Sequence, residues 1–599
     1  MKARPMYVKP TRPVRTVNVL GAEGIFDPRR DGTIYVRSPR RLGPYPDKLT
    51  VRLEHWATRT PERVFLAQRD AAGSWRRIVY AETLLRVRAI AQALLDRHLT
   101  TQTTVAILSG NSIEHALLAL GCMYAGVPYA PIAPSYSLAS AELTTLRNLW
   151  QRLEPALVFA ADGAAFEGPL SQILDSRAEL ATVTRPGSLA ATPFEELTSV
   201  SPRAAVDAAH TRVTPDTVAK ILFTSGSTGR PKGVVTTQRM LCSNQEMLRT
   251  VMAFLADEPP VLCDWLPWNH TFGGSHNFGI ALYNGGTLYI DEGQPTTPSG
   301  FAPTVGNLRE IATTAYFNVP KGYEMLVPAL RADEAFRRHF FSHVQILFYA
   351  AAGLKQRIWD ELQDLAVDAC GEEILMMTGL GATETAPMAL STGVEGAAAG
   401  RVGLPVPGVE LKVAPVEHKL EARVRGPNVT PAFWGDPELT RAAFDDEGFY
   451  RLGDAVLFAD PENPLKGFLF DGRIAEDFKL STGTWVSVGP LRARFLTWFD
   501  GIAQDVVFAA PDRDYVAALI FPQPGASAGA VRTLLQRLAH NSTGISTRVQ
   551  RVIVLEEPPS LDAGELTEKG TINQEAVLRN RAPLVEELYD GSARVIGID

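Results

Sequence analysis

Apolar residues recur at helical spacing over residues 84–95, where Leu84, Val87, Ala91, Leu94 and Leu95 form one stripe. The apolar run Val105-Ala106-Ile107-Leu108 predicts a short buried strand. Asn111 then stands as the cap of a helix with Glu114 three residues on. That helix runs through Leu117, Leu120 and Tyr124 and stops at Gly126. Val127–Ile132 returns to extended structure, so the order is strand, helix, strand, which predicts a parallel sheet flanked by helices. The alternation recurs further on, with Val344–Ala350 as a strand and Gln356–Leu365 as the helix behind it. Residues 293–300 (GQPTTPSG) read as a loop. Past about residue 473 the elements shorten to strands at Val506–Ala510, Val516–Phe521 and Arg551–Leu555 and a helix at Ala530–Ala539, which suggests a separate α+β unit. The expected division is therefore 1–472 and 473–599.

Composition agrees with this picture. A chain of 599 residues is too long for one core. Hydrophobic residues make up 45% and charged residues 21%, as in ordinary globular proteins. A net charge of −7 gives no reason to expect nucleic acid or an anionic membrane as partner. Cys122, Cys242, Cys263 and Cys370 lack metal-ligand spacing and read as reduced thiols, which points to the cytoplasm. The early basic residues Lys2, Arg4, Lys9, Arg12 and Arg15 have no apolar core beside them, and no stretch is long and apolar enough to span a bilayer.

The chemistry begins at Thr224-Ser225-Gly226-Ser227-Thr228-Gly229-Arg230-Pro231-Lys232-Gly233, set between the β-prone runs Ile221–Phe223 and Val234-Val235. Glycines let a backbone turn and aim N–H groups inward. Hydroxyls add donors, and a lysine adds a mobile positive charge. Those parts suit a polyphosphate. The spacing is not that of a Walker A loop, because Gly229 is followed by Arg-Pro-Lys-Gly. As a bare Gly/Ser-rich stretch it reads equally as a solvated linker.

The ordered string resembles the phosphate loop of the adenylate-forming enzymes, which include acyl-CoA synthetases, nonribosomal adenylation domains and luciferases. Later strings match that family in order. Thr378-Gly379-Leu380-Gly381-Ala382-Thr383-Glu384-Thr385 resembles its Gly-aromatic-Gly-x-Thr-Glu segment. That implies Glu384 as Mg²⁺ ligand, Thr383 as donor to the α-phosphate, and Gly379, Leu380 and Gly381 beside the adenine, with Leu380 in place of the usual ring. Tyr450-Arg451-Leu452-Gly453-Asp454 and Asp471-Gly472-Arg473 imply Asp454 and Arg473 as ribose contacts. The family's hinge falls at Ala475. Trp268-Asn269-His270-Thr271-Phe272-Gly273-Gly274, after Pro267, resembles the acyl-pocket segment, with His270 gating the carboxylate. Ala350-Ala351-Ala352-Gly353 matches a strand end beside adenine and acyl group. Glu565–Ile572 carries Lys569 at the place of the catalytic lysine.

Ile474–Arg492, with Phe317–Leu326 and Arg425–Pro431, is similar to bacterial feruloyl-CoA synthetases. Lys479, Gly483 and Trp485 then border coenzyme A, and Trp268, His270, Phe272, Gly273, Phe317, Tyr349 and Gly353 line the acyl slot. The resemblance implies an α/β fold in which a large N-terminal domain of two α/β sheets and a small β-barrel precedes a small mobile α+β C-terminal domain. It also implies ATP, Mg²⁺, coenzyme A and a small carboxylic acid as ligands, the acid being a hydroxycinnamate such as ferulate, p-coumarate or caffeate. A homodimer is left open. The competing readings are a ligase for another aryl or medium-chain acid, an adenylation domain serving a separate carrier protein, and a non-catalytic nucleotide sensor.

Overall fold

The structure, a computed structural model, describes residues 12–140, 142–224, 231–295, 297–393, 398–509, 513–523, 525–560, 563–566 and 572–598. The predicted strand–helix–strand unit lies at the centre of a seven-stranded sheet. Its order is 232–237, 218–224, 129–131, 104–107, 155–159, 179–182, 192–193, parallel except for the antiparallel first strand. The helix Tyr80–Asp96 begins one turn before the expected stripe. It packs Val87, Ile90, Ala91 and Leu94 into the main core.

The next helix, Ile113–Ala125, is capped by Ser112 and not by Asn111. The Ser112 hydroxyl accepts from the His115 N–H at 3.0 Å. Asn111 is drawn away to a distant turn, where it accepts from the Trp268 N–H at 2.9 Å and donates to the Leu266 carbonyl at 2.9 Å. Gly126 ends the helix in the left-handed region, as expected of a C-cap glycine.

A second sheet has the order 261–264, 287–290, 64–69, 75–79. Three parallel strands, 315–318, 346–349 and 375–377, continue beside it. The Thr314 N–H donates to the Val261 carbonyl at 2.8 Å across the join. The predicted strand at 344–350 is thus Ile346–Tyr349, and the helix behind it, Gln356–Cys370, outlasts its prediction by five residues. The expected loop over 293–300 is cut short because Thr297 caps a helix that begins at Pro298, a residue well suited to a first turn.

A nine-stranded sheet curls so that 401–405 returns to 34–37. Beyond residue 473 a four-stranded sheet of 503–509, 516–522, 549–554 and 596–597 carries its own two cores, with the helix Ala528–His540 on one face. The four cysteines are free, three of them buried. Among the described residues no helix is long and apolar enough to cross a membrane.

Candidate active site

Parallel strands expose their carboxyl ends on one side of a sheet, and ligands of open α/β sheets bind there. Thr224, Asn318, Tyr349 and Met377 all stand at such ends. Thr224 pairs with Lys232 across the antiparallel hairpin that the glycine-rich loop closes. Ser225, Gly226, Ser227, Thr228 and Gly229 lie outside the described residues. The Lys232 ammonium sits 5.5 Å from the centre of the Phe433 ring.

The returning strand of that hairpin is tied to the turn carrying Glu384. Thr430 makes the link, because its N–H donates to the Glu384 carbonyl at 2.7 Å and its hydroxyl to the Val235 carbonyl at 2.7 Å. The Trp434 N–H reaches the Gly233 carbonyl at 2.7 Å beside it. Two buried asparagines clamp the far side of the turn. Asn428 donates to the carbonyls of Thr385 and Met388 at 2.8 and 2.9 Å, and Asn244 donates to that of Met388 at 2.8 Å. A carbonyl already holding one donor can take a second on its other lone pair, so the turn is over-determined.

Thr383 and Glu384 are both buried. The Tyr450 phenol stands beside the Glu384 carboxylate, and burial together with that carboxylate raises the tyrosine's pKa. Glu384 belongs to no cluster of three His, Cys, Asp or Glu side chains among the described residues. One buried carboxylate does not make a protein cage for a cation. It does fit Mg²⁺, which commonly takes one or two carboxylates and fills its shell with phosphates and water.

The strand Gly379–Gly381 leads into this turn. A Cβ at Gly381 would lie 1.8 Å from the Pro387 carbonyl oxygen, and one at Gly379 2.3 Å from that of Leu390. Both glycines are required by close backbone approach. Leu380 is buried in the main core. Ala351, past the strand end, has φ +73°, a left-handed conformation that costs a non-glycine residue about 1 kcal/mol or more. Gly353 is exposed.

Asp454 faces Arg473 across adjacent strands, with Oδ1 3.8 Å from Nε. Burial pushes its carboxyl up to about 6. Arg473 opposes the shift, while Glu384, Glu476 and Glu421 reinforce it. An unfolded aspartate titrates near 3.9, so between about pH 4 and 6 the unfolded chain sheds a proton that the fold retains. Stability falls over that window, by roughly 2–3 kcal/mol in all, and stays level above it. Asp454→Asn is therefore expected to melt later than the wild type at pH 8 but not at pH 4. It should also bind ATP more weakly, as the ribose contact implied by the family resemblance requires. Thermal denaturation at the two pH values and ATP titration check the pair of effects. Equal melting shifts at both pH values would contradict the buried-charge account.

In the segment expected to face the acid, the His270 backbone N–H donates to the Pro267 carbonyl at 3.1 Å, and the ring Nδ1 accepts from the Phe272 N–H at 3.3 Å. This tight turn explains two glycines, since a Cβ at Gly273 would meet the Leu266 oxygen at 2.3 Å and one at Gly274 the Trp268 oxygen at 2.2 Å. Trp268 is buried edge-on against His115 and Phe278, 5.2 and 5.0 Å between ring centres. Phe272 and Phe317 surround His276 together with Phe348. Tyr349 is not with them. Strand alternation puts it on the opposite face, where it packs in the second core against Trp359. Phe348 and His276 went unnoticed in the sequence, although alternation along Ile346–Tyr349 pairs Phe348 with Phe317.

Beyond Arg473, Lys479 pairs with Trp485 in a two-stranded hairpin, its ammonium 4.7 Å from the ring centre. Gly483 closes the hairpin with φ +79° and open space around it. The Trp485 ring also stacks on His418 at 4.2 Å. Lys419, beside His418, forms an ion pair with Asp477 at 2.7 Å, their side chains 3% and 1% exposed. Lys419 also donates to the Asp471 carbonyl. Lys569 lies outside the described residues. Leu566 and Ile572 on either side of it pair in an antiparallel bridge, and Gln574 donates to the Glu476 carbonyl at 3.3 Å.

Residues 53–434 match the family model described as AMP-binding enzyme. The chain is 26% identical over 470 residues to a 3-[(3aS,4S,7aS)-7a-methyl-1,5-dioxo-octahydro-1H-inden-4-yl]propanoyl:CoA ligase of Rhodococcus jostii (strain RHA1), covering 75% of this chain and 85% of that protein. It is 23% identical to the mitochondrial malonate–CoA ligase ACSF3 of Homo sapiens, covering 59% of this chain and 65% of that one. The crystal structure of ATP-bound MatB from Rhodopseudomonas palustris superposes with a TM-score of 0.68 at 23% identity, over 90% of this chain and 99% of that one. That likeness bears out the expected fold, a large α/β part followed by a smaller C-terminal part.

Proposed function

The chain belongs to the AMP-binding enzyme family, and we propose that it is an AMP-forming acid–thiol ligase that converts a hydroxycinnamate to its coenzyme A thioester with Mg·ATP. The observation that carries this reading is that Thr430 ties the Thr224–Lys232 hairpin to the turn of Glu384, with Tyr450 and Asp454 close enough to that carboxylate to feel its charge.

In the first step the acid's carboxylate attacks the α-phosphate, giving acyl-AMP and pyrophosphate. A carboxylate is a poor acyl donor because its leaving group would be oxide, and the adenylate supplies a better one. Thr224, Ser225, Ser227, Thr228 and Lys232, with the Gly226 and Gly229 backbone, hold the β- and γ-phosphates. Thr383 donates to the α-phosphate. Asp454 accepts from the ribose hydroxyls, with Arg473 beside it, and Ala351 and Gly379–Gly381 flank the adenine. His270 orients the incoming carboxylate. Bound at Glu384, Mg²⁺ would neutralise phosphate charge. Because the protein is asked for little covalent chemistry, positioning and charge stabilisation supply most of the acceleration. In the second step the coenzyme A thiol attacks the acyl carbon and AMP leaves. The C-terminal part, about 473–599, would rotate to withdraw Lys569 and present Lys479, Gly483 and Trp485. The cytoplasm is the proposed location.

The choice of acid rests on the feruloyl-type strings and on the rings of Phe272, Phe317 and Phe348. A flat, rigid acid loses little freedom on binding and stacks on rings at roughly 1 kcal/mol per good contact. Hydroxycinnamates are therefore expected to exceed octanoate, benzoate and malonate by about a hundredfold in kcat/KM, a difference of about 3 kcal/mol. Thioester absorbance across that panel, with chromatography of the nucleotides, tests both parts. Benzoate or malonate equal to ferulate would refute the choice of acid. ADP and orthophosphate as products would refute the ligase chemistry.

A further inference from the structure

The turn that carries the acyl-side residues holds buried polar atoms that no described group satisfies, and the one at His276 has a defined chemical sense. His276 is 1% exposed. The rings of Phe272, Phe317 and Phe348 stand 5.2, 5.1 and 5.4 Å from it, centre to centre. Burial pushes its pKa down to about 4, so the ring is neutral at physiological pH.

A neutral imidazole has one N–H and one bare lone pair. Nδ1 lies 2.8 Å from Asn277 Oδ1. The Asn277 amide presents its oxygen on that side, while its Nδ2 has no hydrogen-bond partner among the described residues. The amide oxygen is the atom that faces the His276 ring. Since an amide oxygen only accepts, the proton is on Nδ1. Nε2 is then an acceptor, and among the described residues nothing donates to it.

We propose that His276 is a specificity-determining residue whose Nε2 accepts a hydrogen bond from a phenolic hydroxyl at the far end of the bound acid. This rests on the hydroxycinnamate reading above and adds a chemical requirement to it: the acid carries a neutral donor. A second carboxylate does not meet that requirement. It would bring a negative charge to a lone pair inside a wall of phenyl rings, and the buried Lys220 amine, whose pKa burial lowers to about 7, already donates to the Gly274 carbonyl at 2.8 Å. The hydroxyls of Thr271 and Ser275, on the same turn and also without partners, can rotate to meet a neighbouring ring substituent.

A site built to hydrogen-bond a substrate hydroxyl discriminates strongly against the analogue that lacks it. The wild-type enzyme is expected to prefer p-coumarate over cinnamate by about thirtyfold or more in kcat/KM. The 4-methoxy analogue, which presents oxygen but no donor, should be as poor as cinnamate. In His276→Phe the p-coumarate/cinnamate ratio should fall to within about threefold of unity. His276→Gln, which retains an acceptor, should keep most of the preference, and it also serves if the phenylalanine variant does not fold. Equal use of p-coumarate and cinnamate by the wild type, or an unchanged ratio in His276→Phe, overturns the role of His276 while the hydroxycinnamate reading stands. Failure of both acids alongside good turnover of malonate or benzoate overturns both.

Discussion

Lys569→Ala is expected to lose about a hundredfold in adenylate formation while retaining thioester formation from supplied feruloyl-AMP. Negative charge from the carboxylate and the α-phosphate converges in the first transition state, and a lysine there is worth most at that moment. In the second step AMP leaves the same place, and the lysine has no comparable charge to meet. Removing one such electrostatic donor typically costs about 3 kcal/mol in the step it serves. Single-turnover measurements of the two half-reactions check this. Equal losses in both would remove Lys569 from the catalytic role and leave it an ordinary lysine.

Lys419→Met is expected to have a comparably large effect by a different route. Lys419 and Asp477 are almost wholly buried, and the Asp477 carboxylate also accepts the Val488 N–H at 2.9 Å, where the helix Val488–Trp498 begins. Removing only the ammonium leaves the buried Asp477 carboxylate with His418 Nε2, 3.4 Å away, as its remaining basic neighbour, and breaking such a pair costs up to about 3–5 kcal/mol. The pair joins the nine-stranded sheet to the segment just past Arg473, so the loss should appear as earlier unfolding and proteolysis of the C-terminal part. Asp477→Leu in the same chain should restore much of it, since an apolar pair of similar volume is often neutral or better. In this arrangement Gln574, five residues past Lys569, is bonded to Glu476. Adenylate formation should therefore suffer more than thioester formation. A double-mutant cycle read by thermal denaturation measures the coupling, and additive losses would show that the pair is not a unit.

Much of this was legible in the sequence, for physical reasons. The helix over 84–95 and the strand at 105–108 are set by apolar periodicity, which local chemistry cannot hide. Glu384 and Asp454 stood out only through the family resemblance of the strings that carry them, since a lone carboxylate near a glycine is more often a turn residue. Asn111 was misread because a cap and a long-range clamp need the same amide, and only the fold decides that Leu266 and Trp268 use it. Thr430 and Asn428 act through carbonyls of residues forty or more positions away, and that leaves no local signature. The Lys419–Asp477 pair was invisible for the same reason. Tyr349 and Phe317 looked alike as aromatics at strand ends, but the period of two sends them to opposite faces. Ala475, where the family places its hinge, is followed two residues on by the buried Asp477. The anchor of that segment is therefore found from packing and not from residue type.

The central claim is that this site joins a carboxylate to the α-phosphate of ATP before any thiol arrives. Exchange of labelled pyrophosphate into ATP, measured without coenzyme A, tests it most directly. The account predicts exchange that requires Mg²⁺ and a hydroxycinnamate, that is lost in Lys569→Ala, and that labels the β- and γ-phosphates. Absence of acid-dependent exchange under conditions where the enzyme forms the thioester would contradict it, because the adenylate would then not be a free intermediate of the reaction.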